Sequence, residues 1–147
     1  MKTKGILLVD DSANDVELTL AALGKHHLAN DVTVARDGEE ALEYLFRRGR
    51  FADRPKNNPV LVMLDLKMPK VDGLEVLRQI RASESLKLIP VVILTSSREE
   101  RDIVKSYTLG INAYVVKPVE FEKFFDAVEE LGLFWMVINE PPPPAVS

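Results

Sequence analysis

Val60-Leu61-Val62-Met63-Leu64-Asp65 is the stretch that decides the fold: five apolar residues in a row end on one carboxylate. A strand with one wet face would alternate polar and apolar side chains, so an unbroken run of this length predicts a strand covered on both faces, as in a parallel sheet. Val91-Val92-Ile93-Leu94-Thr95 repeats the pattern and ends on a hydroxyl. Working outward, shorter runs at Ile6–Val9, Val32–Ala35 and Ala113–Val116 complete five predicted strands, with Val60–Leu64 and Val91–Thr95 as the third and fourth. Each is separated from the next by a longer segment of helical period, the signature of βαβ units.

The helices carry their own punctuation. Ser12 or Asn14 can cap the first, whose apolar stripe holds Val16, Leu20 and Leu23, and Asp37 can cap the second, with Ala41, Leu42, Leu45 and Phe46 inward. The third follows the Asp72-Gly73 turn and repeats Leu74, Leu77 and Ile80. Ser97 precedes Arg98-Glu99-Glu100, an acidic first turn that favours a helix N-terminus. A fifth helix starts near Glu120 and runs through Phe121, Phe124, Phe125, Val128 and Leu131. Gly73 and Gly110 read as turn residues.

With 147 residues and 46% hydrophobic content, the chain has material for one sizeable core. The expected organisation is one domain over residues 1–131, followed at 132–147 by an apolar extension and a proline-rich tail. A net charge of −4 opposes non-specific contact with nucleic acid or anionic lipid. The absence of cysteine excludes disulfides, cysteine zinc sites and thiol catalysis and is compatible with a cytoplasmic location. The opening apolar run, Gly5 to Val9, is too short for a signal peptide or a membrane span.

In an open parallel sheet, ligands sit beyond the carboxyl ends of the strands. The residues there are Asp10 and Asp11 after strand one, Asp65 after strand three, Thr95 ending strand four and Lys117 after strand five. Three carboxylates brought together repel, by roughly 4 kcal/mol per pair at ~4 Å and an effective dielectric near 20. A divalent cation relieves that repulsion, and hard oxygen donors without sulfur favour Mg2+. Asp65, alone at its strand end, is then the candidate nucleophile for an acyl phosphate. Lys117 supplies a cation and Thr95 a hydroxyl to the charge on phosphoryl oxygens.

Leu7-Leu8-Val9-Asp10-Asp11-Ser12, Leu64-Asp65-Leu66-Lys67-Met68-Pro69, Asp72-Gly73, Leu94-Thr95-Ser96 and Tyr114-Val115-Val116-Lys117-Pro118 together resemble the receiver domains of two-component signalling, in order from residue 4 to about 131. The resemblance implies an α/β, flavodoxin-like (CheY-like) three-layer sandwich with five parallel strands in the order 2-1-3-4-5 and five helices. It implies phosphorylation of Asp65 by a sensor histidine kinase, with Mg2+ held by Asp11 and Asp65 side chains, by the Lys67 backbone carbonyl and, through water, by Asp10. It also implies that Lys117 contacts the phosphoryl group or Asp65, that the Lys117-Pro118 bond is often cis, and that Thr95 and Tyr114 form a switch. Lys67 and Ser97 fall where receivers tune the lifetime of the phosphoryl group.

Other signals carry blander readings. His26 and His27 fall at the end of the first helix, where a cation complements the dipole. Arg47, Arg48, Arg50, Arg54 and Lys56 form a basic connection that suits partner docking better than nucleic acid. Leu133-Phe134-Trp135-Met136-Val137-Ile138 is too continuously apolar to be buried by one helix face, so Phe134 and Trp135 are candidates for a homodimer contact. The Phe-Trp pair followed by prolines resembles the C-terminus of small receivers paired with bacterial phytochromes. The sequence ends before an output domain could fit, so the signal is expected to pass to a downstream protein or phosphotransfer partner.

Three rivals share parts of this pattern. A haloacid-dehalogenase-like phosphatase needs a second aspartate two residues after the nucleophile, where Lys67 stands. A flavodoxin-like cofactor carrier needs a small-residue phosphate loop, where Asp10-Asp11 would repel the anion. A receiver-shaped module that is never phosphorylated has no need of the complete residue set.

Overall fold

The computed structural model describes residues 5–24, 32–55, 57–66, 68, 71–95 and 113–130. Five strands, β1 (Ile6–Val9), β2 (Val32–Ala35), β3 (Leu61–Asp65), β4 (Val91–Thr95) and β5 (Ala113–Val116), form one sheet in the order β2-β1-β3-β4-β5. Every pairing is parallel, with Leu7 beside Thr33 and Val62, Leu64 beside Ile93, and Thr95 beside Val116. Among the described residues four α-helices accompany them: α1 (Ala13–Gly24), α2 (Gly38–Phe46), α3 (Gly73–Ala82) and α4 (Phe121–Glu130). The helix expected after Ser97 lies outside the described residues, so α4 is the predicted fifth helix.

Alternation along the strands divides the core in two. Leu7, Val9, Val62, Leu64, Val91 and Ile93 pack with α2 and α3 on one face. Ile6, Leu8, Leu61, Met63, Val92, Leu94, Ala113 and Val115 pack with α1 and α4 on the other. The apolar runs are continuous because both sets need cover, and all five positions of β3 and of β4 are buried. Each buried Val, Leu, Ile or Phe side chain adds roughly 1.5–3 kcal/mol of hydrophobic stabilisation.

The helix starts follow the sequence reading. Ser12 rather than Asn14 caps α1, its Oγ accepting the Asp15 N–H at 3.2 Å. Asp37 accepts from the Glu40 amide and Asp72 from the Glu75 amide, at 2.8 and 2.9 Å. In α3 the buried face is Gly73, Val76, Leu77 and Ile80, with the predicted Leu74 half-buried.

One strand differs. The third was expected at Val60–Leu64, but the ladder begins at Leu61 and includes Asp65, whose backbone pairs with Leu94. The reason is pairing rather than polarity: Val60 donates its amide to Gly5, ahead of the strand register, while Asp65 still has β4 beside it.

The connection from Gly49 to Pro59 contains a short 3-10 turn, Gly49–Phe51. Three arginines in and just before it are committed within the chain. Arg54 lies 4.1 Å over the Tyr44 ring and donates to the Tyr44 and Asn57 carbonyls; Arg48 and Arg50 lie over Phe46 and Phe51, and Arg50 also pairs with Glu40. Lys56, His26, His27, Gly110, Leu131 and the segment 132–147, with Phe134 and Trp135, lie outside the described residues.

Candidate functional site

The chain leaves β1, adds β2 on one side, then returns to place β3 on the other, so the crevice between the carboxyl ends of β1 and β3 is the topological switch point. Asp10 follows β1 and Asp65 ends β3, which sets their carboxylates across that crevice. With Asp11 they offer three oxygen atoms within 4.8 Å of one another. Asp10 is fully buried and Asp65 is 6% exposed, whereas Asp11 faces solvent.

Asp10 is fixed from two sides. Its amide donates to the Ala35 carbonyl and its Oδ1 accepts the Ser12 amide, both at 3.0 Å. Its Oδ2 is buried without a hydrogen bond, although the Lys117 ammonium stands 3.1 Å away as an ion pair. Such an oxygen is costly to bury unless charge compensates it.

Lys117, just beyond β5, reaches across the strand ends with its side chain only 13% exposed. Nζ lies 2.9 Å from Asp15 Oδ2, 3.1 Å from Asp10 Oδ2 and 3.2 Å from Asp65 Oδ2. Burial alone pulls the ammonium pKa down, but the hydrogen bond to Asp15 and the charges of Asp65 and Asp10 outweigh it, and the net shift is upward. Three carboxylates therefore share one lysine while Asp11 adds a fourth negative group beside Asp10 and Asp65, a surplus of negative charge that fits a divalent cation. The donor set, all carboxylate oxygen with one oxygen lacking a hydrogen bond, suits a hard ion.

Thr95, the last residue of β4, is fully buried, and its carbonyl accepts the Lys117 amide at 2.9 Å. Tyr114 pairs with Ile93 and is half-buried against the core on the α2–α3 side. Because Thr95 pairs with Val116 and alternate residues share a face, Thr95 and Tyr114 lie on the same face one diagonal step apart. The Lys117-Pro118 bond is cis. Lys67 and Ser97 lie outside the described residues.

Two residues of the site escaped the sequence reading. Asp15 is the shortest partner of Lys117; its signal was the spacing Ser12-Ala13-Asn14-Asp15, which places an acid on the first turn of α1, beside the strand ends. Gly73 is more than a turn residue: a Cβ there would overlap the Asp65 carbonyl oxygen and come within 2.7 Å of Leu66 Cα. Its amide donates to the Leu66 carbonyl at 2.9 Å, so α3 begins directly on the backbone that carries Asp65.

The comparison with known proteins agrees with this arrangement. A family model for the response regulator receiver domain matches residues 6–129. Response regulator Rcp1 of Synechocystis sp. is 38% identical over 133 residues, spanning 90% of this chain and 89% of that protein. Among solved structures, the bacteriophytochrome response regulator AtBRR is 59% identical with a TM-score of 0.87, over 92% of this chain and 96% of that one. The Mn(2+)-bound form of Rcp1 superposes with a TM-score of 0.72 at 36% identity, covering 97% of this chain and 99% of that one. Matching the full span from β1 to α4, and agreeing with the five-stranded order and the acidic crevice, these likenesses establish that the chain belongs to the response regulator receiver family, the signal-accepting domains of two-component phosphorelays.

Proposed function

We propose that Asp65 accepts the phosphoryl group of a sensor kinase phosphohistidine and that Mg2+ is the resident cation. The observation that carries this reading is the convergence on Asp65 of one ammonium from the loop after β5 and two further carboxylates from the loop after β1. An Asp65 oxygen attacks phosphorus, the phosphorus–nitrogen bond of the donor breaks, and the imidazole leaves with the bonding pair and takes up a proton. Asp10, Asp11 and Asp65, with the Lys67 backbone carbonyl, would hold Mg2+, which when bound neutralises charge on the phosphoryl oxygens and on the carboxylates. Lys117 meets the same developing charge from the β5 side.

Thr95 and Tyr114 transmit the change. The buried Thr95 hydroxyl turns to the phosphoryl oxygen, and Tyr114, on the same face, moves into the space it leaves. The protein acts on its own aspartyl phosphate alone, since Lys67 stands where a phosphatase of external esters needs an acid. The likeness to a bacteriophytochrome response regulator supports a phytochrome-type kinase as donor. Phe134 and Trp135, in the 132–147 extension that follows the receiver, supply a homodimer contact, and a downstream protein or phosphotransfer partner receives the signal in the cytoplasm, without nucleic acid or membrane. No helix among the described residues is long and apolar enough to cross a membrane.

Intact mass after incubation with Mg2+ and acetyl phosphate tests the core of this reading. One added phosphoryl group in the wild type and none in Asp65→Asn is the expected result. Addition that persists in Asp65→Asn, or none in the wild type, overturns it. A monomer in equilibrium sedimentation with and without acetyl phosphate removes the homodimer.

A further inference from the structure

The first turn of α1 carries a helix cap with one arm diverted. Ser12-Ala13-Asn14-Asp15 has the spacing in which a hydroxyl at the helix entry and an acid three residues later satisfy each other's amides. The forward arm forms, because the Asp15 amide donates to Ser12 Oγ at 3.2 Å. The return arm does not: the Ser12 amide donates to Asp10 Oδ1 instead. The Asp15 carboxylate is turned to Lys117, whose Nζ donates to Oδ2 at 2.9 Å across the strand ends.

An ammonium has three protons to give, and three carboxylates surround this one. Two of them, Asp10 and Asp65, also belong to the cluster whose oxygens gather as a cation-binding set. Lysine and a divalent cation therefore draw on the same two anions. Asp15 lies outside that set, is about one-third exposed, and provides the shortest of the three contacts.

We propose that Asp15 is a positioning residue that holds the Lys117 ammonium against α1, leaving Asp10 and Asp65 available to a divalent cation. This rests on the assignment of Asp10, Asp11 and Asp65 as the cation-binding set. Without the Asp15 carboxylate, Lys117 has only the metal's own ligands to pair with and becomes a competitor for them. Asn at this position keeps the backbone amide that Ser12 caps, so the helix start is preserved while the charge is removed.

The test is Mg2+ titration by calorimetry into the full chain as wild type, Asp15→Asn, Lys117→Met and the double variant. Asp15→Asn is expected to weaken Mg2+ binding about three- to tenfold when Lys117 is present, and less than about twofold in the Lys117→Met background, where no ammonium remains to be positioned. Equal losses in both backgrounds would show that Asp15 acts only as one more negative charge near the metal, and that overturns the proposal. So does unchanged affinity in Asp15→Asn. Asp15→Glu, which returns the carboxylate on a longer arm, is expected to restore affinity to within about twofold of wild type; affinity as low as that of Asp15→Asn counts against the proposal. Intact mass with acetyl phosphate reports separately on Asp65 as acceptor, so failure of that reading leaves the coupling between Asp15 and Lys117 still measurable.

Discussion

Lys117 is buried among carboxylates, and its raised pKa fixes the sign of its contribution to stability. A cation favoured by the folded state stabilises fully at any pH below its unfolded value, about 10.4, and that stabilisation is lost only as pH climbs through the folded value. In metal-free buffer, Lys117→Met leaves Asp10 buried beside Asp65 without its cation, which is expected to cost on the order of 3 kcal/mol. The gap in Tm from wild type should stay level between about pH 6 and about pH 9 and close only in the alkaline range. Thermal melts across that range check it, and a gap that decays between about pH 7 and about pH 9 would contradict the pairing. Which residues meet here was largely legible: Asp10, Asp11, Asp65, Thr95 and Lys117 could be placed because each ends or follows an apolar run. Asp15 could not, because a cap signature says where a helix begins and not where its acid turns when Asp10 takes the amide it would have used.

At the level of elements, α3 is seated on β3 by contact between backbones, and Gly73 is the residue that permits it. Gly73→Ala is expected to lose about 1–3 kcal/mol through overpacking, read as a lowered denaturation midpoint. It should also slow the phosphorylation proposed for Asp65 at temperatures where the variant remains folded, because the added carbon displaces the Asp65 carbonyl. A variant as stable and as reactive as wild type would show that the loop has room to yield. The Asp72-Gly73 pair announced a turn but not this approach, since the distance depends on how the chain after Asp65 folds back, which no local pattern records. The arginines after α2 are a similar case: a basic cluster is visible in the sequence, while its stacking on Tyr44, Phe46 and Phe51 depends on a 3-10 turn that has no periodic signal.

Across the whole molecule, stability is graded from the middle of the sheet outward. β3 is flanked by β1 and β4 and is wholly buried, whereas three of the four residues of β2, at one margin, are only half-buried. Native-state hydrogen exchange should therefore find the β3 amides protected up to global unfolding and those of β2 exchanging at least about tenfold faster. Equal protection in the two strands would mean that the sheet opens only as a unit. The order of strands was foreseen by resemblance rather than by hydrophobic pattern, because alternation tells which residues are strands and not which strands are neighbours. That order has a further consequence for Lys117. It follows β5, the last strand in the row, so an ammonium that reaches the carboxylates at the centre of the sheet is mounted on its rim. A partner bound along that rim whose grip shifts the ammonium would be coupled to the modification proposed for Asp65, and each would strengthen or weaken the other by an equal amount of free energy.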